Sequence, residues 1–286
     1  MNHNNDNNNI DNMIRTVSAV VAGVALIVGA GFTAASTPTM AAPPSTEVAG
    51  PVTSMGAAGD GTAGAELPVI DPGDGGVYEP TLNPADFVDV VDNPYFPLVP
   101  GSRWVYEGES DGEAERIEVE VLDERREIMG ISASVVRDTV YIAGEMVEDT
   151  YDWYAQDVEG NVWYLGEDTH EYENGQAIND AGAWEYGVDG ALPGIVMLAA
   201  PAVGDAYRQE FYAGEAEDMG EIIEVDATVA IGLGEYADVV VTEDWTPLDP
   251  DVVENKSYAP GIGMIYETKV AGGDGTVELV EFNPGA

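Results

Sequence analysis

Apolar and polar positions alternate with a period of two over much of the second half of the chain. In Arg116–Leu122, Ile117, Val119 and Val121 alternate with Glu118 and Glu120, the pattern of a half-buried strand with a charged outer face. Ile131–Ile142 is rich in β-branched residues, and Met146–Gln156 follows after Ala143-Gly144-Glu145, which predicts a hairpin. The same criteria predict strands at Val162–Leu165, Ala206–Tyr212, Glu221–Ala230, Tyr236–Trp245, Lys256–Lys269 and Thr276–Phe282. Glycine-containing turns separate them, among them Ser110-Asp111-Gly112, Glu173-Asn174-Gly175 and Asp189-Gly190. Ile195-Val196-Met197-Leu198 is continuously apolar and fits a buried strand or a cavity wall.

One segment carries the other period. Asn83-Pro84-Ala85-Asp86 has a capping Asn, Pro at the first position and Asp in the first turn. Phe87, Val90 and Val91 then share one face, and Asn93-Pro94 stops the run. The expectation is one short amphipathic N-terminal helix. The expected fold class is therefore all-β, or β-dominated α+β: a curved antiparallel sheet, a sandwich or a partial barrel.

The first eighty residues lack these periods. Residues 1–12 are an Asn-rich leader, and Met13 can serve as the start. Residues 13–41 have the form of a secretory signal peptide. Arg15 is basic, the run from Val17 to Thr33 is apolar, and Thr39-Met40-Ala41 offers small residues for cleavage before Ala42. The alternative is an uncleaved membrane anchor, the one membrane contact the sequence supports. Residues 42–81 are rich in Ala, Gly and Pro and make a flexible linker; residues 82–286 form a single β-rich domain. The expected location is extracellular or at the cell surface.

Charge changes this picture most. Among 286 residues, 54 Asp and Glu face 9 Lys and Arg, for a formal charge of −45. Such a surface repels nucleic acid and anionic membranes. It also repels itself unless salt screens it, so the chain is expected to be halophilic. With 45% hydrophobic residues it is not a disordered polyanion. There is no cysteine, which removes disulfides, thiolate metal sites and a lipidated Cys.

Two segments carry a family resemblance. The opening Asn93-Pro94-Tyr95-Phe96-Pro97-Leu98-Val99-Pro100-Gly101-Ser102-Arg103-Trp104-Val105-Tyr106 and the closing Tyr258-Ala259-Pro260-Gly261-Ile262-Gly263-Met264-Ile265 resemble the bookends of a family of secreted or lipoprotein-type bacterial β-rich proteins. Between them, Asp157–Tyr164 and Gly214–Met219 are also similar. The resemblance spans residues 83–283. It implies a secreted single β-domain without an assigned activity, and a further analogy to curved-sheet lipid or lipoprotein carriers. Membrane attachment does not carry over, because the lipidated Cys is missing.

Candidate chemistry is sparse. His170 is the one histidine beyond the leader, and neither a nucleophile elbow, a zinc ligand set nor a phosphate loop accompanies it. Asp157, Glu159 and Asn161, with Asp168 beyond, partly imitate a calcium loop, but Val162 stands where that loop needs Gly, and a turn at Gly160 explains the same residues. Glu215, Glu217 and Asp218 form a second acidic cluster. Calcium is the one cofactor worth testing; no other is indicated. Aromatics beside acids suggest a third possibility, a ligand or glycan platform of Asp152, Tyr154, Trp163 and Tyr164. On Met146–Gln156, Thr150, Asp152 and Tyr154 share one face, and Asp149, Tyr151 and Trp153 the other. The expected function is non-catalytic binding of a small molecule, glycan or surface component. The alternatives are carriage of an apolar ligand, a carboxylate-based glycan hydrolase and a calcium-stabilised structural module.

Overall fold

The computed structural model describes residues 77–285 together with two short antiparallel strands, β1 (Ala19–Val20) and β2 (Ala25–Leu26). The expected leader, the rest of the expected signal peptide and most of the expected linker lie outside the described residues. From Phe87 onward the domain is a single sheet. Its strands are β3 (Phe87–Val88), β4 (Arg103–Ser110), β5 (Glu113–Ile128), β6 (Ile131–Ile142), β7 (Glu145–Asp157) and β8 (Val162–Glu173), then β9 (Gln176–Asn179), β10 (Trp184–Glu185) and β11 (Leu192–Met197). The second half adds β12 (Ala206–Arg208), β13 (Glu210–Phe211), β14 (Met219–Ile231), β15 (Gly234–Trp245), β16 (Val253–Ala259), β17 (Gly263–Ala271) and β18 (Gly275–Asn283).

All pairings are antiparallel, and the strands follow the order β12-β14-β15-β16-β17-β18-β4-β5-β6-β7-β8-β11-β13. The two ends of that path, β12 and β13, are separated in sequence by Gln209 alone. The sheet thus curls back on itself into a nearly closed barrel, which leaves little free edge. Gln209 donates its backbone N–H to Asp218 O at 2.8 Å, so the chain is held at the junction. Gly194 marks the neighbouring crossover, where β11 leaves β8 for β13. A Cβ there would sit 2.1 Å from Gln209 O.

Several expectations hold closely. Ile131–Ile142 is a strand with those bounds, and Ala143-Gly144 turn it into β7 with φ of 51° and 83°, the left-handed pair that twists with the strands. Ile195–Met197 is a buried strand segment.

Three expectations need correction. The short helix is a single 3-10 turn, Pro84–Asp86. Asn83 caps it, accepting from Ala85 N at 3.3 Å, but the turn stops there. Val158 N donates to Asp86 O at 2.8 Å, and β3 pairs with β7, so tertiary partners take the backbone groups that a longer helix would use. Lys256–Lys269 is two strands, β16 and β17, reversed at Pro260-Gly261-Ile262 with Gly261 at φ 77°. Ala206–Tyr212 is broken at Gln209, because its halves pair with different strands, β14 and β11.

Candidate functional site

The hairpin of β7 and β8 shows what the barrel does with its faces. Residues directly opposite on antiparallel neighbours point to the same side. Val136, Asp152 and Glu167 are opposite one another, as are Asp138, Thr150 and Thr169. That face is buried, with Asp152 and Tyr154 each 1% exposed. The other face is covered too: Trp153 packs with Ile131, Ala133 and Trp163 in a second apolar cluster, under the Arg126 guanidinium 3.9 Å from its ring. Around Trp153 and Trp163 both faces of this hairpin are layers of core, while farther along Asp168 and His170 reach solvent.

The four residues considered for a ligand platform therefore lie inside. Tyr154 and Tyr164 stack with centroids 4.9 Å apart, and Tyr164 Oη donates to Asp152 Oδ1 at 2.8 Å. Trp163 Nε1 donates to Asp157 Oδ2 at 2.8 Å. None of the four presents a ring to solvent. Nor are the calcium candidates brought together. Asp157 accepts from Asn161 N, Asn161 Nδ2 and Trp163 Nε1, which uses its carboxylate to clamp the turn. Glu159 is exposed at the tip, and Asp168 projects from β8 beside His170, 3.6 Å from its Nδ1. In the second cluster Glu215 is exposed, Glu217 accepts from Gly214 N at 2.8 Å, and Asp218 is buried. Among the described residues, no group of three or more His, Asp or Glu is placed to hold a metal ion.

Two features stand out instead. The first is a small apolar cleft, partly open to solvent. Phe96, Leu98 and Trp104 of the opening segment form one wall and Ile262, Gly263 and Met264 of the closing segment another, over a floor that includes Tyr106 and Tyr154. The polar atoms of the walls are occupied: Trp104 Nε1 donates to Ile262 O at 2.8 Å and Tyr106 Oη to Met264 O at 3.1 Å. The two segments that carry the family resemblance are thus tied to each other, and what they leave between them is greasy.

The second feature was not foreseen: an acidic barrel interior. Glu115, Asp138, Glu148, Asp152, Glu167, Glu210, Asp218, Asp244, Glu254 and Glu267 are all buried. Among the described residues the one fully buried cation is Lys256, 0% exposed. Burial disfavours ionisation. It raises Glu115 to about 7 against the pull of Lys269, and Glu148 to about 8 against the pull of the Thr150 hydroxyl. Burial likewise raises Asp152 to about 7 and Asp218 to about 8. Glu167, Glu210 and Glu267 are pushed well up by burial first and by neighbouring carboxylates second. At neutral pH much of this interior is therefore carboxylic acid rather than carboxylate. The sequence held a signal for it. In β16 Glu254, Lys256 and Tyr258 alternate with Asn255 and Ser257, so neither face near Lys256 is apolar, which an ordinary half-buried strand does not show.

No protein-family model matches the chain, and no curated protein matches it. Among solved structures it is similar to a Bacteroides fragilis protein of YmcC-like fold, whose name marks it as exported. The identity is 15% and the TM-score 0.37, over 66% of this chain and 99% of that one. It is also similar to a Parabacteroides distasonis protein named as a lipoprotein, at 14% identity and TM-score 0.36, over 66% and 98%. Likenesses at these values carry no inference about what the chain binds or where it goes.

Proposed function

We propose that the chain is an exported, non-catalytic binding module that takes an apolar group in the cleft between its opening and closing segments. The observation that carries this reading is the cleft itself: its lining is hydrocarbon and aromatic, and Trp104 Nε1 and Tyr106 Oη are already paired with backbone carbonyls. A pocket of that character suits an acyl or aryl group and offers nothing to orient a sugar. Export rests on the basic Arg15, the apolar run after it and the small residues at Thr39-Met40-Ala41. The protein recovered from the medium of its producing cells is expected to begin at Ala42. Recovery solely in the cytoplasm with residues 13–41 intact would remove the export half of the proposal.

The binding half is tested with 1-N-phenylnaphthylamine, a dye that brightens in apolar pockets. Titration into the protein is expected to saturate at one site. Ile262→Trp, at the half-exposed mouth, is expected to weaken binding by about tenfold or more, since an indole there takes the place of the guest. Val270→Trp, an exposed position outside the cleft lining, should bind like the parent. No saturable binding, or equal affinities for the two variants, would overturn it.

A further inference from the structure

Lys256 and Asp244 sit on the adjacent strands β16 and β15, one step off direct opposition: Asp244 faces Glu254 and Thr242 faces Lys256. Lys256 Nζ lies 3.1 Å from Asp244 Oδ2, with side chains 0% and 2% exposed. This is an ion pair in distance but not in hydrogen-bond geometry. Nζ and both Asp244 carboxylate oxygens are without a hydrogen-bond partner, although all three are sealed from solvent. An amine and a carboxyl group are thus in contact in a site sealed from water, the proximity that an amide condensation requires. Glu267 lies directly opposite Lys256 on β17, and its Oε2 is likewise unpartnered. We propose that Lys256 and Asp244 condense to an intramolecular isopeptide bond that cross-links β15 to β16, with Glu267 relaying the protons.

The atoms balance without any co-reactant. One proton of the Lys256 ammonium passes to an Asp244 oxygen, which gives a neutral amine beside a neutral acid. The Nζ lone pair forms a bond to Asp244 Cγ. A second Nζ proton is taken up by Glu267 as its own acid proton goes to the departing oxygen. The Cγ–O bond breaks, and that oxygen leaves as water with two protons, the third staying on the amide nitrogen. Glu267 ends as it began. Its carboxyl, raised mainly by burial and then by Glu254, holds the proton that the leaving oxygen needs.

In water the separated ions win because both are hydrated. Inside the barrel neither ion has that shell, and the fold holds the reacting groups in contact. Burial favours the free amine, but the adjacent Asp244 carboxylate opposes it, and Lys256 stays charged at rest. The internal proton transfer to Asp244 is therefore the slow step, and condensation is expected after folding, in the mature domain. This cross-link is independent of what the cleft binds.

Intact-mass measurement on the purified full chain, kept in molar salt and then denatured, tests the proposal. The expected mass is that of the chain recovered less one water. Trypsin is expected to skip Lys256 and release residues 209–269 as one peptide, also one water light, since Lys256 is the only tryptic site inside that stretch. Lys256→Met and Asp244→Ala should each restore the unmodified mass, which reads the chemistry even if the variants fold poorly. Asp244→Asn should lose ammonia in place of water. An unmodified parent mass with complete cleavage after Lys256 overturns the proposal, and so does a water loss that persists in Lys256→Met.

Discussion

The domain is expected to be most stable in acid and to lose stability as pH rises from about 4 to 8, the reverse of the usual acid-labile protein. In the unfolded chain a glutamate titrates near 4.3 and an aspartate near 3.9. In the folded barrel Glu115 and Asp152 titrate at about 7, and Glu148 and Asp218 at about 8. Between those limits the folded state binds more protons than the unfolded one, so the free energy of unfolding falls with pH. Their stabilisation is complete below the unfolded values and is lost as pH climbs through the folded ones. At about 1.4 kcal/mol per unit, Glu115 alone corresponds to about 4 kcal/mol. Interior carboxylates that begin to ionise admit water and relieve one another, so the total is well short of a simple sum. A drop of about 5 kcal/mol between pH 5 and 8 is expected, a large share of a domain's usual stability. Denaturant titrations at stepped pH in constant molar NaCl measure it. Glu148→Gln and Asp152→Asn, close in size to the acids they replace, should each flatten the slope over pH 5–8. A flat profile, or a stability maximum near pH 7 with loss on acidification, would show that the interior acids are not held protonated.

This behaviour explains how much of the chain was legible in advance. Period-two alternation found the strands well wherever a strand keeps one apolar face, as in Ile117, Val119 and Val121. It failed where tertiary partners decide. The Pro84–Asp86 turn carried every local helix signal, yet Val158 takes the carbonyl of Asp86. The break at Gln209 follows from barrel closure, a contact between the two ends of the sheet that no local pattern encodes. The burial of the platform residues was not legible for one reason. In so acidic a chain, Asp152 and Glu167 were indistinguishable by type from the solvent-facing acids around them, and acids are rarely buried. What separates them is register: residues opposite Val136 face inward with it. The cleft, by contrast, lies between the two segments that sequence resemblance had picked out.

Salt should act on the other population of acids, those outside. Transfer from about 0.05 M to 2 M NaCl at pH 7 is expected to raise the melting temperature by roughly 10 °C, about 3 kcal/mol for a domain of this size. The surface cations are largely spent already: Arg116 reaches Glu107 and Glu118 at 2.5 and 2.8 Å, Arg137 holds Asp149 at 2.7 Å, and Arg126 holds Glu185. The remaining acids meet like charge. Glu221 is directly opposite Glu243. Like charges in that relation destabilise a sheet. They are partly exposed, so molar salt, with a Debye length of about 2–3 Å, screens them, while low salt leaves the repulsion in force. The interior acids respond weakly to the same salt because they are enclosed, so salt and pH act chiefly on separate groups. Glu243→Lys, which turns one repulsive pair into an attractive one, should raise the melting temperature at 0.05 M by more than at 2 M. Potassium chloride should match sodium chloride at equal concentration, since the effect is screening. Equal melting temperatures at low and molar salt would mean that the outer carboxylates do not strain the fold. A gain confined to calcium at fixed ionic strength would point to a specific site in place of screening.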